Sequence, residues 1–237
     1  MKAPAFYARS GSTGSDLVAV LHPPYTAWHL SYVALGAALA PQIDGLRLTG
    51  TLTAFFLGTG IAAHALDELT GRPLRTSLPG WLLAVLSAVG LAGAWSVAWL
   101  GATVISPWVW VWAAAGTALA VGYAREVPGW LHTTAGFAAA WGAFPVLVGY
   151  WAQTESLSIG AVVVALAAAL VSAAQRTLST PARYLRRKVD WSELRATRSG
   201  ETEVWDEDRV LATWERPLRL LAWAMVVLAA GMVFLKL

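Results

Sequence analysis

Between residues 76 and 124 the chain has no Asp, Glu, Lys or Arg, and the same holds from 127 to 154 and from 156 to 175. A hydrocarbon core needs about 20 apolar residues for each helix that crosses it, so runs of this length are read as membrane spans. They are continuously apolar rather than alternating, which predicts helices and not barrel strands. Composition agrees: 57% of residues are hydrophobic, 13% are charged and the mean hydropathy is +0.55, outside the usual balance of a soluble domain. The expected fold class is all-α, a polytopic membrane helix bundle, with residues 1–237 forming one multi-pass domain in the cell membrane.

Seven spans are predicted, at about 25–43, 47–66, 80–105, 107–124, 131–152, 157–175 and 217–235. Pro23, Pro24, Pro41, Pro73, Pro79, Pro107, Pro128 and Pro217 fall at or near these ends, where a missing amide donor costs least. Pro145 lies inside the fifth span and is expected to kink it where protein, not lipid, meets the freed carbonyl.

A cytoplasmic N-terminus puts Lys2, Arg9, Arg72, Arg75, Arg125 and the ten basic residues from Arg176 to Arg219 inside, against Arg47 and Lys236 outside. That asymmetry follows the positive-inside rule, and it explains the net charge of +3 without invoking nucleic acid. Trp99, Trp108, Trp110, Trp112 and Trp151 fall near outer ends, and Trp28, Trp81, Trp130 and Trp223 near inner ends, as in an aromatic belt. The opening "MKAPAFYARSGSTGSDLVAVLHPPY" has no long apolar core or small-residue cleavage site, so no cleaved signal peptide is expected. Cysteine is absent, which removes disulfides and thiolate chemistry. Residues 176–216 hold eight of the 14 acids and most of the basic residues. They are expected to form a cytoplasmic loop, whose "RYLRRKV" either lies on anionic lipid or is simply solvated.

The stretch "AHALDELTGRPLR", residues 63–75, brings charge to the end of an apolar span. On a helix, Asp67 and Glu68 stand at i+3 and i+4 from His64, so the three share a face, and Arg72 follows Glu68 by four. One imidazole and two carboxylates suit a hard divalent ion such as magnesium. The plainer alternative is a helix end with a Glu68–Arg72 pair at the headgroups. Carboxylates near the hydrocarbon edge are costly, which favours a functional role.

Several stretches, in order, resemble the UbiA superfamily of intramembrane prenyltransferases over roughly residues 18–190. "LHPPYTAWHLSYVALGAALA" resembles its opening helix, "AHALDELTGRPLRTSLP" falls where it has its first aspartate-rich motif, and "LAVGYAREVPGWLHTTAGFAAAWGAFPVLVGYWAQTESLS" resembles the passage from its fourth into its fifth helix. The resemblance implies transfer of an isoprenoid from a prenyl diphosphate to a lipophilic acceptor, with magnesium as cofactor. The family motif reads Asn-Asp-x-x-Asp-x-x-x-Asp-Arg; here Ala63, His64, Asp67, Gly71 and Arg72 occupy the Asn, the three Asp and the Arg positions. Two of the three acids are replaced. No acid occurs between Glu155 and Asp190, where the second motif belongs, and Gln175, Arg176, Ser179, Thr180 and Arg183 stand there instead.

On this reading Asp67 and Glu68 are the candidate catalytic residues, and His64, Asp67 and Glu68 the metal ligands. Arg72, Tyr123, Arg125 and Arg176 are the diphosphate ligands, since arginine suits bidentate phosphate contacts. The alternative is a catalytically lapsed relative that binds an isoprenoid or other lipid, or scaffolds a partner. A third reading, an unrelated seven-span transporter or receptor, has little support, because ionisable residues at membrane depth cluster at the motif apart from His29 near the inner end of the first span. A retinal Schiff base is excluded by a last span whose lysine, Lys236, is terminal. His22 and His132 are expected to be structural or interfacial, His29 either to be interfacial or to face the cavity, and "GFAAAWGAF" to serve close helix packing.

Overall fold

The computed structural model describes residues 3–8, 12–190 and 192–236; Lys2 and Arg9, counted above for orientation, lie outside them. The described chain is helical except for one hairpin. A short amphipathic helix α1 (Thr13–Val20) leads into α2 (Pro23–Ala38). Then come α3 (Gly45–Gly71), α4 (Gly80–Val104), α5 (Val109–Ala124), α6 (Thr134–Thr154), α7 (Ile159–Lys188) and α8 (Glu207–Phe234). Five of these, α3, α4, α6, α7 and α8, are long and apolar enough to cross a membrane; α2 and α5 are shorter, at 16 residues each. The chain is therefore a helical membrane protein. Every expected span coincides with one of these helices, but the count of seven rests on the two short ones.

Local chemistry accounts for several boundaries. Pro23 and Pro24 open α2, where absent donors cost nothing. Asp44, Ser158 and Asp206 cap α3, α7 and α8 by accepting hydrogen bonds from amides of the first turn. Pro145 is buried and follows directly on a π-helical turn, Ala139–Ala143, within α6. That turn is where the proline's disruption is absorbed. A second π-helical stretch, Phe56–Ala63, interrupts α3 just before His64.

Two expectations are corrected. Residues 176–216 are not a loop: α7 runs on to Lys188 with Pro181 inside it, Leu194–Arg198 pairs antiparallel with Glu201–Trp205, and α8 starts at Glu207 with Pro217 in its interior. The helical extensions are held together by Arg186, whose guanidinium grips both carboxylate oxygens of Glu215, a bidentate geometry that a flexible loop would not sustain. The tryptophans also divide. Trp81, Trp99, Trp108, Trp130 and Trp223 are exposed as a lipid belt requires, whereas Trp28 and Trp151 are buried in the core.

Helix α2 packs against α6 and α8, and α7 against α6 and α8, giving one tight half; α3, α4 and α5 form the other. The tight half depends on glycine. A Cβ on Gly36 would stand 2.1 Å from the carbonyl oxygen of Val146, and one on Gly149 2.1 Å from that of Val33, so α2 and α6 meet backbone to backbone. Around this seam Trp28, Tyr32, Leu35 and Val146 pack with Ala165, Ala168, Ala222 and Met225.

Candidate functional site: two adjoining chambers

Where the two halves diverge they leave two cavities. The smaller, about 110 Å3, lies at the end of the bundle that carries the N-terminus and draws residues from α2, α3, α5, α6 and α7. Its polar lining comprises Tyr7, His22, Tyr25, His29, His64, Asp67, Tyr123, Gln175, Ser179, Arg183 and Arg187. The larger, about 540 Å3, extends toward the opposite end between α3, α4, α5 and α6, and its walls are almost wholly apolar: Phe55, Leu91, Trp95, Trp112, Phe144 and Trp151 among them. Thr59, Ala120 and Trp141 line both, so the chambers adjoin.

Helix geometry explains the polar lining. Gln175, Ser179, Arg183 and Arg187 recur at every fourth position of α7, which places them on one stripe. Arg183 makes no hydrogen bond or ion pair with the described residues, whereas Arg187 donates from Nε to the Pro4 carbonyl at 3.2 Å. Asp67 is half-buried with no ion pair within 4 Å among the described residues, and its charge is opposed by those of Arg187 and Arg183. Among the described residues it is the one carboxylate lining this chamber. Two arginines against one aspartate leave the polar chamber net positive, a setting that favours an anion.

The N-terminal segment covers it. The Tyr7 hydroxyl and His22 Nδ1 are hydrogen-bonded at 2.8 Å, and the Tyr7 ring packs edge-on to Tyr25. Arg186 and Arg187 hold the carbonyls of Ala3 and Pro4, and the Arg219 guanidinium lies over the Phe6 ring. Burial, and then the neighbouring Tyr25, pushes the Tyr7 hydroxyl above its ordinary range. Burial, and then His64, holds the His22 imidazole well below its usual value. Both shifts favour the neutral forms of the two groups. His22 and His64 stack with ring centroids 4.2 Å apart.

The residues singled out in the sequence are distributed unequally. Asp67, His64 and Tyr123 line the polar chamber. Glu68 does not: it is wholly buried, and its carboxylate accepts from the amides of Leu74 and Thr76 at 2.8 Å and from the Thr76 hydroxyl at 2.9 Å. It organises the loop after α3, and its carboxylate is engaged there and not in the polar chamber where the sequence reading put a catalytic group and metal ligand. Arg72 has the same fate. It ends α3 in the left-handed region, at φ 49°, and its guanidinium donates to the Leu78 carbonyl at 2.6 Å rather than to Glu68. Arg125 is exposed past the end of α5, outside the cavity lining. Arg176 stands behind the lining, donating to the Tyr123 hydroxyl at 3.2 Å and to the His132 carbonyl, and so positions Tyr123. His132 stacks on Tyr123 and contacts its backbone carbonyl at 2.7 Å, which makes it structural.

His64, Asp67 and Glu68 are thus not brought together, and among the described residues no three His, Asp or Glu side chains stand close enough to share a metal ion. His64 Nδ1 is 3.3 Å from the Gly60 carbonyl and is used within its own helix. The donors present do not fit a magnesium–diphosphate centre, which needs several convergent oxygens. Sequence reasoning missed Arg187, Tyr7 and Tyr25, gave His22 no site role, and left His29 between the cavity and the interface. The fourfold stripe from Gln175 to Arg187 was the available signal.

Comparison with protein-family profiles, with characterised proteins and with solved structures gives no match.

Proposed function

We propose that this protein binds an isoprenoid-type lipid with a phosphate-bearing head, the head on Arg183 and Arg187 in the polar chamber and the tail in the apolar one. The observation that carries this reading is that the two chambers share Thr59, Ala120 and Trp141 in their walls: a cationic pocket adjoining a hydrocarbon-lined one matches an amphiphile with an anionic end. Counting α2 and α5 as crossings gives a seven-span bundle in the cell membrane with its N-terminus cytoplasmic, a UbiA-like arrangement consistent with the sequence resemblance.

Holding the lipid is favoured over turning it over, because the donor set does not fit a magnesium-bound diphosphate. One observation keeps transfer to a lipophilic acceptor as the second reading: Asp67, in the resemblance's second acidic position, shares the chamber with both arginines and with Tyr123. The two readings give opposite signs for Asp67→Asn. Removing a carboxylate from an anion site strengthens binding of farnesyl diphosphate by about three- to tenfold, the value of a modest charge repulsion at intermediate dielectric. If Asp67 is instead catalytic, the substitution abolishes transfer of a labelled prenyl group in magnesium. Titration of purified protein with farnesyl diphosphate, with and without chelator, separates them, and mass spectrometry of lipid retained through purification names the native ligand. Failure of any prenyl phosphate to bind defeats both.

A further inference from the structure

The polar chamber holds uncharged polar groups besides its arginines, one of them at the wall shared with the apolar chamber. His29 on α2, Trp141 on the π-helical turn of α6 and Gln175 on α7 are 7%, 8% and 3% exposed. Both ring nitrogens of His29, the Trp141 indole nitrogen and the Gln175 amide oxygen are buried without a hydrogen-bond partner among the described residues. All three side chains line the polar chamber, Trp141 lines the apolar one as well, and the His29 and Trp141 rings are 5.6 Å apart. At this depth a polar atom left unpaired costs free energy that water outside the bundle cannot return.

The unpaired groups have a definite chemistry. Trp141 is only a donor and the Gln175 oxygen only an acceptor, while a neutral imidazole offers one of each. An anion satisfies the donors and faces the Gln175 oxygen unfavourably. A cation does the reverse, and a hydrocarbon satisfies none. A hydroxyl both donates and accepts: its proton can go to the Gln175 oxygen or a His29 nitrogen while its lone pairs take the Trp141 N–H and the His29 N–H, so it satisfies three of the four unpaired atoms.

We propose that His29, Trp141 and Gln175 form a recognition point for the hydroxyl of a neutral lipophilic alcohol or phenol whose body lies in the apolar chamber. This rests on reading the adjoining chambers as a ligand site, but not on the phosphate assignment.

The test uses the full-length protein in detergent micelles and two matched pairs: farnesol against farnesyl methyl ether, and 4-octylphenol against 4-octylanisole. In each pair the second molecule keeps the shape and loses the donor. The hydroxyl member of at least one pair is expected to bind about tenfold more tightly, the discrimination that one well-made buried hydrogen bond gives. His29→Phe, Gln175→Leu and Trp141→Phe each reduce that preference toward unity. His29→Phe and Trp141→Phe also melt no lower than the parent without ligand, since each removes an unpaired buried group. Farnesyl diphosphate is titrated into the same preparations. If it binds while neither pair is discriminated, the hydroxyl site is overturned, the three side chains hold water only, and the phosphate reading stands. If a hydroxyl is preferred while the diphosphate does not bind, the inference holds and the phosphate reading falls. Equal preference in parent and variants also overturns it, because the discrimination then arises elsewhere.

Discussion

The two chambers differ in what their walls demand. The apolar one is bounded by side chains from α3 to α6 that are satisfied by hydrocarbon of any identity, and its size sets what it accepts. The polar one is a fifth of that volume, yet it gathers two arginines, an aspartate, three histidines and three tyrosines from five helices and the N-terminal segment. On the proposed lipid-binding reading, selectivity resides in the small chamber and capacity in the large one. Within a few residues the same contrast separates Asp67, which faces the cavity, from Glu68, which is spent on the loop at 73–78.

The largest test of that contrast is removal of the cationic pair. Arg183→Ala with Arg187→Ala should weaken farnesyl diphosphate binding about a hundredfold, two charge-assisted contacts at roughly 1.5 kcal/mol each. Farnesol binding should be nearly unchanged; an equal loss for both ligands would break the division into head and tail. Next, Glu68→Ala should lower stability by about 2 to 3 kcal/mol, since it strands two backbone amides and the Thr76 hydroxyl. Thermal unfolding reads this directly, and folded protein should still bind the diphosphate. A loss of binding without a loss of stability would return Glu68 to the site.

A smaller effect is expected from filling the apolar chamber. Gly116 lines it, and a Cβ there meets only the Phe144 ring at 3.5 Å, so Gly116→Leu is accommodated while occupying tail space. It should cut farnesyl diphosphate affinity about fivefold, the worth of one or two displaced methylenes, and leave dimethylallyl diphosphate unaffected. The smallest concerns the cover. Deleting residues 1–8 removes Tyr7 and the carbonyls held by Arg186 and Arg187. Ligand association and dissociation, followed by stopped-flow, should both speed up severalfold with affinity changed by less than about threefold, since the opening changes but the arginines stay.

How much of this was legible varies by residue. Helices at all seven expected positions follow from uninterrupted apolar runs, because hydrocarbon permits no other open backbone there. Asp67 was legible as a cavity residue from its place at a span end. Its neighbour Glu68 was not: spacing of i+3 and i+4 from His64 puts both acids near one face, and only the return of the loop at 73–78 decides which is captured. Arg72 was misread for the same reason, its left-handed backbone turning the guanidinium onto the Leu78 carbonyl. Arg187 was hidden by the assumption that a charged segment leaves the membrane as a loop, whereas α7 continues through Pro181 and carries its stripe onward.

By itself the sequence determined a helical membrane bundle, the positions of its helices and the end at which ionisable groups gather, since those depend on local hydropathy and on what a bilayer tolerates. The tertiary structure alone decided which of those groups meet. The backbone contact at Gly36 and Gly149 fixes how closely α2 and α6 stand within one half, and the π-helical turns in α3 and α6 shift which side chains those helices turn toward the cavities. Side chains distant in sequence, such as His29, Trp141 and Gln175, then face one cavity because helices pack as rigid bodies, and no periodicity within one helix carries that information.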